Sequence, residues 1–111
     1  MEKQMKEQYM RMAKVFKALS DPKRVQILDV LSGGEMCGCV LLEHFQVSQP
    51  TLCHDLKLLT DAGIVMCRRD GQRKLYSLNM EALQRFQKKL KTILADGQPG
   101  EDTAPENEPS R

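Results

Sequence analysis

The chain has no tryptophan, three Phe, two Tyr and only two histidines among its 111 residues. No run approaches the ~18 apolar residues of a membrane span, and no apolar segment of the signal-peptide kind follows the N-terminal charges. The expectation is a soluble, cytoplasmic protein with no membrane partner. In that compartment Cys37, Cys39, Cys53 and Cys67 are expected as reduced thiols rather than as a disulfide framework. Catalytic signatures are missing as well. His44 and His54 lack metalloprotease spacing, no Gly-rich phosphate loop is present, and nothing pairs a nucleophile with a base and an orienting acid. No enzyme is expected, and there is no internal repeat.

What the chain does have is charge, unevenly spread. Residues 1–95 hold 16 Lys and Arg against 10 Asp and Glu, a net of +6, whereas residues 96–111 hold one Arg against five acids, a net of −4. A basic folded part suits a nucleic-acid partner. Residues 1–95 are therefore read as one domain for DNA binding and dimerisation, and residues 96–111, rich in Pro, Gly, Glu and Asp, as a disordered acidic tail.

Apolar spacing gives the elements. Met5, Tyr9, Met12, Phe16 and Leu19 form a stripe on an amphipathic first helix running to about Ser20. Asp21 and Pro22 suit the N-cap and first position of a second helix, with Val25, Ile27, Leu28 and Leu31 as its core face and Gly33-Gly34 at its end. A short third helix is expected over roughly residues 39–45. Ser48 then caps a fourth, with Leu52, Leu56 and Leu59 inward and Ala62-Gly63 closing it. Ile64–Arg68 and Lys74–Leu78 read as two strands around an Asp70-Gly71 turn. Asn79 caps a last helix striped by Leu83, Phe86, Leu90 and Ile93. The fold class is mainly α with a small β-hairpin: a winged helix-turn-helix of five helices plus wing. The stripes of the two end helices either pair with a second copy, making a homodimer, or complete the core of one chain. A two-fold protein would match two half-sites of a pseudo-palindromic double-stranded operator.

The fourth helix is the reader of the major groove. With its leucines inward, the helical step turns Pro50, His54, Lys57 and Asp61 outward, with Thr51 and Cys53 beside them. Gln49, Thr51 and His54 are the base-contact candidates; Ser48 and Lys57 suit phosphates. Arg68, Arg69, Arg73 and Lys74 cluster at the wing, as DNA contacts or as an ordinary solvated hairpin tip.

Cys37-Gly38-Cys39 carries the other chemistry. Thiolates are soft ligands for thiophilic ions. On a regular helix residues two apart diverge by about 200°, so both thiols reach one ion only in a non-helical segment or at a frayed helix start. The alternative is two small buried core residues.

The run 18–78 resembles the ArsR/SmtB family of metal-sensing repressors. The resemblance rests on LSDPKRVQIL, the CxC entering the third helix, SQPTL followed by H.LK.L and AG.V, and a wing of the form R.G…YSL. It implies a dimeric winged-helix repressor with Ser48, Gln49, Thr51 and His54 at DNA. Members with this CxC respond to arsenite, antimonite, or cadmium and lead. Arsenic-responsive members often add a cysteine within the next turn, where this chain has Val40, Leu41 and Leu42. A third ligand would come from Cys53 or Cys67, or from an exogenous thiol or hydroxide. The family's zinc site on the last helix needs Asp and His, which NMEALQRFQKKLKTIL lacks, and the cysteine-free N-terminus disfavours cadmium and lead. Arsenite or antimonite is the expected effector. The competing readings are a thiol-redox regulator and a DNA binder without effector.

Overall fold

A computed structural model describes residues 2–95 as five helices and three short strands. In chain order they are α1 (Lys3–Ala18), α2 (Pro22–Leu31), β1 (Met36–Cys37), α3 (Gly38–Leu42), α4 (Gln49–Asp61), β2 (Val65–Asp70), β3 (Arg73–Leu78) and α5 (Met80–Ala95). The expected acidic tail lies outside the described residues. Among those residues no helix is long and apolar enough to cross a membrane.

Local chemistry sets most boundaries. The Asp21 carboxylate accepts the Lys23 backbone N–H at 2.7 Å, and Pro22 opens α2. Ser48 Oγ accepts the Thr51 N–H at 3.3 Å and so caps α4. At the other end of α4, Gly63 takes φ +84°, the left-handed conformation that glycine adopts without a Cβ clash. Its N–H donates to the Thr60 carbonyl while Ile64 N–H reaches back to Leu59, the paired bonds of a Schellman stop. Asn79 joins three elements. Its Oδ1 accepts the Ala82 N–H at 3.2 Å, its Nδ2 donates to the Gly63 carbonyl at 2.9 Å, and its backbone N–H donates to Ile64.

Ile27, Leu31, Leu41, Leu52, Leu56, Leu59, Ile64 and Tyr76 form the centre of the core, with Val15 and Ala18 of α1 against it. Two expected faces are rotated. Val25 points to solvent, because it and the buried Ile27 are two positions apart and cannot share a helix face. On α1 the chain buries Met12, Val15 and Ala18, leaving Met5, Tyr9 and Phe16 partly in solvent. The third helix is also shorter than expected, ending at Leu42; backbone bonds to the third residue back carry the turn on to Phe45.

The wing is a three-stranded antiparallel sheet in the order β1-β3-β2. Its hairpin runs longer than the sequence reading, with β2 reaching Asp70 and β3 starting at Arg73, and Gly71 at φ +65° makes the turn. The added strand β1 pairs Met36 with Tyr76 and Cys37 with Leu75.

Candidate nucleic-acid interface and thiol site

Burial of Leu52, Leu56 and Leu59 fixes the rotation of α4, and Gln49, Thr51, His54 and Lys57 all lie on its exposed side. Ser48 does two jobs at the helix start. Besides accepting the Thr51 N–H, its hydroxyl donates to Thr51 Oγ1 at 3.0 Å, which orients the first turn. Lys57 Nζ sits 3.3 Å from Asp61 in a solvent-facing pair.

Strand parity sorts the wing's charges. Directly opposed residues of an antiparallel pair share a sheet face, and successive residues alternate. Cys67 opposes Tyr76 and Arg69 opposes Lys74, so these four share the face that carries Val65 and Tyr76 into the core. Arg68 with Leu75, and Asp70 with Arg73, occupy the other face. On that second face each arginine has a carboxylate. Arg68 makes a two-pronged pair with Glu35, both bonds 2.8 Å, and Arg73 meets Asp70 at 3.0 Å. On the first face Arg69 and Lys74 stand opposite each other with no carboxylate within ion-pair distance among the described residues. Like charges in direct cross-strand opposition are unfavourable, and an anion between them relieves the conflict.

The same parity places the cysteines. Cys37 pairs with Leu75, hence lies on the Arg68 face, whereas Cys67 is on the Tyr76 face. Cys37 and Cys39 are brought together: their sulfurs are 2.7 Å apart. The geometry that permits this is the non-helical start required by the sequence argument. Cys37 is the last residue of β1 and the N-cap of α3 with extended φ and ψ, while Cys39 is already in the helix. Cys37 is 7% exposed and Cys39 is open to solvent. The hydrogen bond with Cys39 holds the Cys37 thiol below its usual range, helped by the Val40 backbone and, last, by the Arg73 charge. The same hydrogen bond, with burial, pushes the Cys39 thiol up.

Neither Cys53 nor Cys67 joins them, and no cluster of three or more His, Cys, Asp or Glu occurs among the described residues. Both flank Tyr76 instead, whose hydroxyl is pushed up to about 12 by burial first and then by Cys67 and Cys53.

Two ion pairs were beyond sequence reasoning. Glu35 grips Arg68 from 33 positions away. Asp55, buried within α4, accepts from Arg24 Nη1 at 3.0 Å, and Arg24 Nε donates to the Ala18 carbonyl at 2.6 Å. Spacing hints at neither; only the angular position of residue 55, beside Leu59 on the buried face, marks it as unusual for an Asp.

The end helices leave apolar surface uncovered. No residue of α5 is buried; Ile93 is 49% and Leu94 75% exposed. Phe86 meets Phe16 edge-to-face with ring centroids 5.1 Å apart. A groove of about 280 Å³ runs between α1 and α5, floored by Met12, Val15 and Phe86.

Comparison with known proteins bears on the family and the fold. Residues 21–66 match the family described as bacterial regulatory protein, arsR family. The chain is 48% identical over 85 residues to an arsenical resistance operon repressor of Staphylococcus xylosus, covering 77% of this chain and 82% of that one. It is 42% identical to a cadmium resistance transcriptional regulatory protein CadC homolog of Staphylococcus aureus, covering 76% and 70%. Among solved structures, a homodimeric winged helix-turn-helix DNA-binding domain from Mycobacterium bovis superposes with TM-score 0.70 at 25% identity, over 91% of this chain and 97% of that one.

Proposed function

The chain belongs to the ArsR family of bacterial regulatory proteins and is a winged helix-turn-helix transcriptional repressor; we propose that it works as a homodimer on a pseudo-palindromic operator and lets go when a trivalent arsenical closes the Cys37–Cys39 dithiol. The observation that carries this reading is the convergence of two soft donors at 2.7 Å where β1 becomes α3. Arsenite condenses with two thiols: two S–As bonds form, two As–O bonds break, and the thiol protons leave in two waters. The third position keeps a hydroxide or takes an external thiol, consistent with the lack of a third cysteine beside the pair. Antimonite offers the same chemistry. Greater identity to an arsenical than to a cadmium resistance regulator supports the same choice.

On the DNA side, Gln49, Thr51 and His54 face base edges, and Ser48 and Lys57 face phosphates. Arg69 and Lys74, the uncompensated pair on the wing face shared with the core, take the wing's backbone contacts. Arg73 adds its charge from the opposite face. The second copy covers the α1–α5 face, as the homodimeric neighbour and the exposed Ile93 and Leu94 suggest. Two copies then present two α4 helices to two half-sites about one helical turn apart.

The test is anisotropy of a labelled duplex from the gene's own upstream region, with reduced full-length protein. Arsenite is expected to weaken binding by about 10–100-fold, a typical allosteric coupling, and zinc to leave it unchanged. Binding that arsenite does not alter would discard this effector; release by cadmium alone or by peroxide alone would reassign it. In the same assay Gln49→Ala loses about 1–3 kcal/mol of preference for operator over scrambled duplex. Lys74→Ala weakens both duplexes alike, because a phosphate contact carries no sequence information. Gln49→Ala retaining full discrimination would remove Gln49 from the base-reading set.

A further inference from the structure

We infer that Glu35 is a positioning residue that carries the state of the dithiol to the wing through its grip on Arg68. The inference rests on the dithiol reading above. Three observations place it. First, the register sets Cys37, Leu75 and Arg68 in one row across β1, β3 and β2, on one face of the sheet. Glu35 lies two residues before Cys37 and meets Arg68 on that face, so the side chains span the middle strand and tie the two outer strands together.

Second, the tie has a fixed geometry. Arg68 Nε and Nη2 donate to the two Glu35 oxygens, each at 2.8 Å. A fork-to-fork pair of this kind fixes orientation as well as distance.

Third, β1 is a short edge strand, with Met36 packed on the core and Cys37 buried. The strand is two residues long and its ladder runs only against β3, through Met36 and Cys37. Cys37 belongs to that ladder and to the start of α3 at once. When an ion fixes both sulfurs, the backbone torsions around Gly38 are reset, and the shift is passed to β1. Glu35 then pulls on Arg68, and β2 with it, re-aiming the wing that carries Arg69 and Lys74. Coupling of this sort requires contacts that differ between the two states, and a displaced β1 would alter this one.

Solvent-facing pairs add little to folding stability, so Glu35→Gln folds as the parent does. The experiment measures operator affinity of the reduced full chain with and without arsenite, and arsenite affinity of the DNA-free protein from loss of free thiols. Glu35→Gln and Glu35→Ala are expected to keep effector-free operator affinity within about twofold and arsenite affinity of the thiols unchanged. The arsenite-induced loss of operator affinity shrinks about tenfold, within the usual range of coupling strengths. An undiminished loss overturns the inference. Weaker effector-free binding with the arsenite ratio preserved also overturns it, since that is what a merely structural contact would give. Absence of arsenite release in the parent protein rejects the dithiol reading itself, and is recognised because no variant is involved.

Discussion

Cys37→Ser and Cys39→Ser each abolish arsenite-dependent release while the effector-free proteins bind operator within about twofold of the parent. The asymmetry follows from what each sulfur does. In the effector-free state the Cys37 and Cys39 sulfurs lie 2.7 Å apart, and a serine hydroxyl at either position keeps a hydrogen-bonding partner. The buried side of the pair therefore does not acquire an orphaned polar group. Toward a soft ion the exchange is severe. A hydroxyl is a hard and weakly acidic donor, and the remaining single thiolate no longer chelates. A ligand with no differential affinity for the two conformations shifts nothing, however much is added. Operator titrations with arsenite, run on both variants beside Cys53→Ser and Cys67→Ser, give the check. The last two are expected to release normally, because strand parity turns Cys67 away from Cys37 and no third sulfur stands by the pair. Normal release by Cys37→Ser and Cys39→Ser would move the effector site elsewhere, and failure of Cys53→Ser would point to the recognition helix.

Much of this was legible from residues that announce themselves locally. Asp21-Pro22, Ser48 and Gly63 each satisfy orphaned backbone groups within a few positions, and each marks an element boundary where expected. The leucines of α4 repeat at helical spacing, so the outward set of Pro50, His54, Lys57 and Asp61, with Thr51 and Cys53 beside it, followed. That both thiols could reach one ion only in a non-helical segment or at a frayed helix start followed from angular arithmetic alone. What escaped was decided by partners distant in sequence. Two residues are too few to show a strand's alternation, so β1 exists only because β3, about 40 positions on, offers an edge. Arg68 and Arg73 read as free wing charges, yet both have carboxylates, and only the register shows which cations are left uncompensated. The stripe on α1 was real but split between an inner face at Met12 and an outer one at Phe16, since periodicity does not say which apolar residues serve a chain's own core. Asp55 was silent for a related reason: nothing beside it in sequence supplies the opposite charge.

Asp55→Ala destabilises the fold by about 3–5 kcal/mol, the usual consequence of leaving one member of a buried ion pair alone. The side chain of Asp55 is 4% exposed and that of Arg24 12%, so the guanidinium has little access to water when its partner is removed. Lys23 lies 3.4 Å from the second carboxylate oxygen but is itself far more solvated and contributes less. Arg24 is also held by the Ala18 carbonyl at 2.6 Å, which prevents an easy swing into solvent. Against the ~5–15 kcal/mol that holds a typical domain together, the loss is a large fraction. Urea denaturation at fixed protein concentration measures it, since dimerisation adds a concentration-dependent share. A loss under about 0.5 kcal/mol, the scale of ordinary surface substitutions, would mean that Arg24 finds water despite its surroundings. The double replacement Arg24→Met with Asp55→Leu separates charge from packing. Exchanging a buried pair for apolar residues ranges from neutral to about 1–4 kcal/mol stabilising, so it should recover most of the stability. Operator binding need not recover with it. The pair runs from the end of α1, through the start of α2, to the middle of the recognition helix, and a helix held by apolar contact alone keeps its burial but loses a hydrogen-bonded stop on its rotation. Restored stability with reduced operator affinity would therefore identify the pair as the device that sets the angle at which α4 is presented to DNA.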